Sequence, residues 1–229
     1  MTLKAIDVCK QFLRQREDSN VFYAVEKTSF EVPEEQITCL AGPSGSGKTT
    51  LLSMLAGILE PTEGRILLGE TDLYEMNDRK LSRFRCEHFG VIPQGQTALQ
   101  ALTVLENVLL PCMLYGVRKD IDPEMLRAYA MELLEQTGIA ELANIMPSEL
   151  SGGELRRMAI ARALVHNPDV VLADEPTADL DEENTKIVLS VLRFAADAGK
   201  AVLIVTHDRQ VMDFADTVYH MCLGKIRSE

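Results

Sequence analysis

The segment from Gly42 to Thr49, Gly-Pro-Ser-Gly-Ser-Gly-Lys-Thr, has the residue types and spacing of a phosphate-binding loop. It lies between an apolar stretch, Ile37 to Ala41, and a stretch of helical character, Thr50 to Ile58. Several loop residues lack a bulky side chain, so backbone N–H groups can turn inward, and the positive end of the following helix adds to the attraction for phosphate. An ordinary glycine-rich turn is the alternative, which this strand–loop–helix context disfavours.

A nucleoside triphosphate is the expected ligand of this loop. Lys48 can reach its β- and γ-phosphates, and the Thr49 hydroxyl can bind Mg²⁺. The residues expected to bind the nucleotide here are Gly42, Pro43, Ser44, Gly45, Ser46, Gly47, Lys48, Thr49 and Thr50.

An acidic pair, Asp174 and Glu175, follows the apolar run Val170 to Ala173. In open α/β sheets, ligands bind at the carboxyl ends of the strands. We expect Asp174 to supply a second hard oxygen ligand to Mg²⁺ beside Thr49. We expect Glu175 to orient and deprotonate the water that attacks the nucleotide. The alternative is that these residues, with Pro176, only turn the chain after a strand.

Two further polar residues follow predicted strands. His207 comes after Ala201 to Val205, where it can donate to the γ-phosphate and hold the attacking water. Gln94 follows Phe89 to Ile92, where its amide can sense Mg²⁺ and the water. A histidine at a strand end is often structural, and a glutamine alone carries little information.

A second segment suited to binding phosphate is formed by Ser151, Gly152 and Gly153, small residues at a predicted helix N-terminus. The pattern Ser-x-x-Glu, completed by Glu154, is also that of a capping box, so a well-capped helix explains it equally. One nucleotide already has its loop. A second cradle is therefore explained if two chains share each nucleotide in a head-to-tail pair.

Strand-like and helical segments alternate at both ends of the chain, which predicts a mainly parallel α/β sheet. Leu3 to Cys9 and Val21 to Val32 are predicted antiparallel strands joined by a turn at 14–20. The helical middle, Gln94 to His166, is predicted to be an inserted lobe. Another strand is predicted at Arg65 to Gly69, and helices are predicted around Asp78 to Cys86, from Thr103, from Asp122 to Gly138, from Ser151 to Val165 and from Glu182 to Ala198.

Composition narrows the class of protein. The chain has 229 residues and no apolar stretch long enough to span a bilayer, and its start lacks a signal peptide's apolar core. A net charge of −12 argues against broad electrostatic binding to nucleic acid or anionic lipid. Five scattered cysteines predict reduced thiols of a cytosolic protein rather than a metal or disulfide set.

Together the motifs resemble those of the ATP-binding cassette (ABC) ATPases over nearly the whole chain. The segment 42–49 resembles Walker A, and Gln94 resembles the Q-loop glutamine. Leu150 to Glu154 resembles the family signature, and Val170 to Glu175 resembles Walker B with its catalytic glutamate. The remaining matches are Pro176 to Asp181, which is similar to the D-loop and includes Asp179 and Asp181 as nucleotide contacts, and His207, which is similar to the switch histidine.

This resemblance implies one nucleotide-binding domain over 1–229 with a P-loop NTPase (RecA-like) parallel-sheet core. An N-terminal antiparallel β subdomain and the core would occupy 1–93 and 167–229, and an α-helical subdomain would occupy 94–166. ATP would close a dimer in which Ser151 and Gly153 of one chain meet ATP held by Lys48 of the other. Hydrolysis, with Lys48, Gln94, Glu175 and His207 as catalytic residues, would reopen it.

Finer features, Leu102 to Val108 and Ala173 to Thr177, are similar to those of the lipoprotein-release, macrolide-export and cell-division branch. The resemblance implies docking on an integral membrane permease-type subunit, through the groove near Gln94 and the helical lobe. The expected location is then cytoplasmic, at the inner face of the cell membrane, with no nucleic acid bound. The substrate stays open, as does the choice between transport and force transmission.

Some positions depart from the usual pattern of the family. Phe12 occupies a position where a tyrosine often stacks on adenine, and Tyr23 is a rival candidate for that contact. Pro93 precedes Gln94 where an aromatic residue is common, and Glu154 replaces the commoner glutamine.

Two alternatives predict different partners. A soluble cassette ATPase acting on DNA or ribosomes usually has coiled coils, zinc modules or two cassettes, none of which the sequence shows. An unrelated P-loop kinase or GTPase would leave Ser151 to Gly153 without a role, and the guanine motif Asn-Lys-x-Asp is absent from the sequence.

Overall fold

The computed structural model describes residues 1–13, 21–95, 97–114, 118 and 120–228. The predicted turn at 14–20 lies outside these residues. Within them the strands are β1 (Leu3–Leu13), β2 (Val21–Val32), β3 (Gln36–Ala41), β4 (Glu63–Leu68), β5 (Thr71–Asp72), β6 (Phe89–Ile92), β7 (Val170–Asp174), β8 (Ala201–Thr206), β9 (Thr217–Cys222) and β10 (Lys225–Ser228). The helices are α1 (Lys48–Leu55), α2 (Asp78–His88), α3 (Val104–Met113), α4 (Pro123–Gln136), α5 (Gly152–Leu164), α6 (Glu182–Asp197) and α7 (Arg209–Phe214).

A six-stranded sheet in the order β10-β9-β3-β8-β7-β6 forms the centre of the fold, and the α/β prediction is confirmed. Its strands β9, β3, β8, β7 and β6 are parallel, and only β10 runs antiparallel to its neighbour. Ala41 is in register with Thr206, and Asp174 is in register with Val205. The phosphate loop, the acidic pair and His207 therefore leave the sheet at the same edge, as predicted.

A second, four-stranded antiparallel sheet in the order β2-β1-β4-β5 packs beside the first. The predicted antiparallel pair is confirmed, and β1 is longer than predicted because it continues to Leu13. Two elements at the end of the chain, α7 and the β9–β10 hairpin, were not predicted from the sequence. Most side chains of β9 are only partly buried, so this strand lacks the continuous apolar run that marked the central strands.

The central sheet separates two hydrophobic cores. Along β3, Cys39 faces a core shared with the helices α3 to α6, whereas Leu40 faces a core shared with α1 and the antiparallel sheet. Both sheet faces are thus covered, which accounts for the apolar runs Val170 to Ala173 in β7 and Ala201 to Val205 in β8.

The helical segment between β6 and β7 has well-defined helix starts. Thr103 caps α3 and forms a capping box with Glu106, and Asp122 caps α4 ahead of Pro123. The buried amide of Asn107 donates to the carbonyls of Leu99, Leu102 and Thr103 and so fixes the loop before α3. Among the helices of the described residues, none has both the length and the apolar character that crossing a bilayer requires.

Candidate functional site

The loop between β3 and α1 is shaped by glycines that press on neighbouring backbone. Gly47 has φ = 105°, and a Cβ there would lie 2.1 Å from the carbonyl oxygen of Ala24 in β2. A Cβ on Gly42 would lie 2.1 Å from the carbonyl oxygen of Met221 in β9. Only glycine fits such positions, so the loop is held against backbone on two sides.

Lys48 lies at the first position of α1 with its side chain folded over the loop. Its ammonium donates hydrogen bonds to the carbonyl oxygens of Gly42 at 2.7 Å and Pro43 at 3.0 Å, and the residue is only 7% exposed. These contacts hold a positive charge inside the loop, next to the N-terminus of α1. Both features attract the phosphates of an anionic ligand.

Thr49 and Asp174 meet at the edge of the sheet. The Thr49 hydroxyl donates to Asp174 Oδ2 at 2.9 Å. Burial raises the pKa of the Asp174 carboxyl, and the hydrogen bond from Thr49 opposes that shift. A hydroxyl oxygen and a carboxylate oxygen at this separation are the hard donors that Mg²⁺ prefers, so the residues fit the predicted ion.

Glu175 lies directly after β7 with φ = 49°, a left-handed conformation that is uncommon outside glycine. Its carboxylate accepts a hydrogen bond from the Thr206 hydroxyl at 3.0 Å and lies 2.7 Å from His207 Nδ1. The Glu175 side chain is 11% exposed, whereas that of His207 is 73% exposed. A mostly buried carboxylate is therefore fixed from two sides beneath an accessible imidazole.

A cavity of about 530 Å³ connects these groups. The predicted residues that line it are Pro43, Ser44, Gly45, Gly47, Lys48, Thr49, Thr50, Gln94, Asp174, Glu175 and His207. Phe22 and Ala24 of β2 also line it and were not predicted as site residues. The sequence carried no clear signal for them, because the pairing of β2 with β1 is irregular between Tyr23 and Val25 and simple alternation does not hold there.

Strand pairing determines which aromatic side chains lie on the same face of the sheet as Phe22, which lines the cavity. Phe12 of β1 lies directly opposite Phe22 of β2, so the two rings are on the same face of the sheet. Tyr23 is the next residue along β2 and faces the other way. Phe12 is absent from the cavity lining itself but borders it through Phe22.

Ser151, Gly152 and Gly153 line a second cavity, of about 500 Å³, together with Asp179. The predicted capping box is present, because Ser151 Oγ accepts from the N–H of Glu154 and the Glu154 carboxylate accepts from the N–H of Ser151. The Ser151 hydroxyl donates to the same carboxylate, and the hydrogen bonds from the Ser151 N–H and hydroxyl lower the pKa of Glu154. This turn does not share the cavity of the phosphate loop.

Gln94 lines both cavities and so lies at the boundary between them. Asp181 lines neither of these cavities. Its carboxylate instead caps α6 by accepting from the N–H of Asn184. The structure thus brings most of the predicted residues to two places, and it uses Asp181 as a helix cap.

A shallow apolar groove of about 400 Å³ lies nearby. Ile58, Leu110 and Leu114 contribute apolar surface to it, and Arg85 and Arg162 add positive charge. The Ile58 side chain is prominent there, since the residue is 61% exposed.

Comparisons with known proteins agree with this geometry. Residues 25–178 match the family described as ABC transporter. The ABC transporter ATP-binding protein YtrE of Bacillus subtilis is 36% identical over 204 residues, which cover 89% of this chain and 87% of that protein. The lipoprotein-releasing system ATP-binding protein LolD of Treponema denticola is 35% identical over 202 residues, which cover 88% of each.

Solved structures extend the match to three dimensions. The dimeric structure of the cassette MJ0796, a protein of Methanocaldococcus jannaschii, has a TM-score of 0.90 and 32% identity, covering 99% of this chain and 98% of that one. The same cassette in a post-hydrolysis state bound to ADP and Pi has a TM-score of 0.89 and 31% identity, with the same coverage.

The close approach at Gly47 yields a stability test. The variant Gly47→Ala should unfold more easily, by roughly 1–3 kcal/mol, because φ is positive and the new Cβ meets the Ala24 carbonyl. Urea unfolding measures the change. Gly95→Ala is the matched control, since nothing lies within 4 Å of its Cβ, and it should stay within about 0.5 kcal/mol of the parent. Equal stability of all three chains would contradict this account of the loop.

Proposed function

The chain belongs to the ABC transporter family, and on that premise we propose that it is the ATP-hydrolysing subunit of a membrane complex. ATP binding closes a head-to-tail dimer, and hydrolysis reopens it. The observation that carries the proposal is the separation of two half-sites, the phosphate loop in one cavity and the Ser151 turn in another. We further propose that the domain is divided into two parts. The β subdomain and the RecA-like core occupy 1–93 and 167–229, and a helical subdomain occupies 94–166.

ATP is held by the phosphate loop and by aromatic residues of the antiparallel sheet. The loop N–H groups and the Lys48 ammonium bind the β- and γ-phosphates, since both sources of positive charge converge there. Adenine stacks near Phe12 and Phe22. Support for this choice over Tyr23 comes from the strand pairing, which directs Phe12 to the face that carries Phe22.

Thr49, Asp174 and Gln94 hold Mg²⁺, which neutralises charge on the phosphates when it is bound. Thr49 and Asp174 are already within hydrogen-bond distance of each other, and Gln94 lines the same cavity. Within the described residues, no group of three His, Cys, Asp or Glu side chains could hold a metal ion by itself. Phosphate oxygens of the bound nucleotide would supply further hard oxygen ligands.

Glu175 orients the attacking water and accepts its proton. The hydroxyl of Thr206 and the ring of His207 fix the carboxylate, so one geometry is maintained without rearrangement. The exposed ring of His207 also faces the cavity. When the ring carries a proton on both nitrogens, Nδ1 donates to Glu175 and the other nitrogen donates to the γ-phosphate. Gln94, which lines the same cavity, also holds the water.

The second half-site acts on the partner's ATP. Ser151, Gly152 and Gly153 present the N-terminus of α5, which attracts the γ-phosphate through its backbone N–H groups and its dipole. Asp179, in the same cavity, contacts the nucleotide across the interface, and Asp181 supports it by capping α6. The dimeric structure of the related cassette MJ0796 supports this arrangement.

A membrane permease-type subunit docks on the apolar groove, whose lining includes Thr97 but not the expected Gln94, and on the helical lobe. The groove offers exposed apolar side chains, and Thr97 lines both this groove and the cavity of the Ser151 turn. The similarity to YtrE and LolD, which are named as ATP-binding proteins of an ABC transporter and of a lipoprotein-releasing system, supports a partner of this kind. The chain is then a cytoplasmic protein at the inner face of the membrane.

Replacing the proposed base tests the chemistry. The variant Glu175→Gln should hydrolyse ATP roughly 100-fold or more slowly, because the amide keeps the side-chain volume but cannot accept the proton. It should also accumulate as an ATP-bound dimer in light-scattering measurements. The control is Glu135→Gln, an exposed position on α4. Hydrolysis by Glu175→Gln at the rate of this control would show that Glu175 is not the base.

Blocking the second half-site tests the dimer. The variant Ser151→Arg should bind ATP as a monomer with unchanged affinity, since Ser151 lies outside the phosphate-loop cavity. In the Glu175→Gln background it should fail to dimerise, because the long side chain fills the space of the partner's nucleotide. Ser190→Arg, exposed on α6, is the control. An ATP-induced dimer as stable as that of the control would contradict the composite site.

Co-purification from detergent-solubilised membranes tests the partner. An integral membrane protein should be recovered with the parent chain, and Ile58→Asp should reduce its recovery at least tenfold while leaving ATP hydrolysis by the purified chain intact. Phe194→Asp is the control, because Phe194 is 60% exposed on α6 and lies outside the groove. Recovery of ribosomes or DNA, and of no membrane protein, would instead favour the soluble-cassette alternative.

A further inference from the structure

Arg156 of α5 forms hydrogen bonds with the backbone that follows β6. Its Nη1 donates to the carbonyl oxygen of Pro93 at 2.8 Å, and its Nη2 donates to the carbonyl oxygen of Gln94 at 2.7 Å. One guanidinium thus bridges two successive peptide groups. Because both acceptors are main-chain atoms, the contact fixes where this segment lies and leaves the Gln94 side chain free to contact ligand.

The contact joins the boundary between the two cavities to the second half-site. Gln94 lines both cavities and is the end that reaches the phosphate loop, whereas α5 begins at the turn of Ser151, which lines the second cavity and not the first. Arg156 itself lines that second cavity. The guanidinium is therefore a direct bridge between the residue that faces the chain's own nucleotide and the helix that faces the partner's.

A second arginine also attaches the segment after β6 to α5. Arg162, further along α5, donates to the carbonyl oxygen and to the hydroxyl of Thr97. The segment after β6 is thus attached to α5 near both of its ends. Loss of Arg156 would release the Gln94 end and leave the Thr97 end attached.

The chemistry of arginine suits this role. Its planar fork presents two parallel donors with a fixed spacing, which matches a pair of successive carbonyls better than the single ammonium of lysine does. Burial lowers the pKa of the Arg156 guanidinium, and the charges of Asp179, Asp174 and Glu175 oppose that shift. An arginine stays charged in proteins, so these hydrogen bonds are charge-assisted.

We propose that Arg156 is a positioning residue that couples the chain's two half-sites. It ties the backbone of Gln94 to α5, so that ATP bound at the phosphate loop sets the orientation in which the Ser151 turn meets the partner's nucleotide. The inference rests on the proposed function, because it needs a dimer with composite sites. It concerns dimer closure and gives Arg156 no contact with ATP.

The test compares two affinities in the Glu175→Gln background. Arg156→Ala should leave the affinity of the monomer for Mg–ATP within about twofold of the parent, measured at low protein concentration. It should raise the dissociation constant of the ATP-bound dimer roughly tenfold, the usual size of a coupling between sites. Arg156→Lys should fall between the two chains, because it keeps the charge without the fork. Arg79→Ala, exposed on α2, should match the parent.

A double-mutant cycle separates coupling from simple support of the fold. If Arg156 transmits the state of Gln94, then Arg156→Ala should change the dimer dissociation constant little once Gln94→Ala is present. Residues that act independently would instead give additive effects. Additive effects, or an unchanged dimer in Arg156→Ala, would overturn the coupling role.

Two other results would also count against it. Equal loss of ATP affinity by the Arg156→Ala and Arg156→Lys monomers would mean that Arg156 supports the fold of the site rather than its coupling. Failure of the Glu175→Gln parent itself to dimerise with ATP would overturn the proposed function, and the inference with it. The parent's behaviour thus distinguishes the two failures.

Discussion

The parallel register of β3, β7 and β8 is the constraint on which the site depends. Each of these strands ends at the same edge, with Ala41 level with Thr206 and Asp174 level with Val205. Chemically different groups from distant parts of the sequence are thereby brought within hydrogen-bond distance, as at Thr49 and Asp174. The buried sheet fixes their positions, so little ordering remains to be done when a ligand binds.

Two carboxylates lie side by side at this edge, and their different surroundings support the different tasks proposed for them. Asp174 accepts from the hydroxyl at the start of α1 and faces the loop that carries Lys48. Glu175 turns away through its left-handed backbone and reaches Thr206 and His207 on the neighbouring strand end. A ligand for a cation and a base for a proton can therefore coexist without competing for the same partners.

Much of this site was predictable because its signals are local. The glycine spacing of the loop, the acidic pair after an apolar run and the capping box at Ser151 are each contained in a few consecutive residues. The contributions of Phe22 and Arg156 were not predictable, because they depend on which strands pair and where α5 packs. The weakly apolar β9 and the two-residue β5 were missed for a related reason, since their pairing comes from neighbours rather than from their own sequences.

The glycine loop rests on main-chain carbonyls of Ala24 and Met221, and this has an evolutionary consequence. Substitutions replace side chains and leave backbone oxygens where they are, so no single exchange at either neighbour makes room for a bulkier loop. The apolar groove, in contrast, is built from side chains such as Ile58 and Leu114, each of which can be exchanged separately. A lineage descending from such a protein can therefore change the residues of the groove while its phosphate loop stays the same.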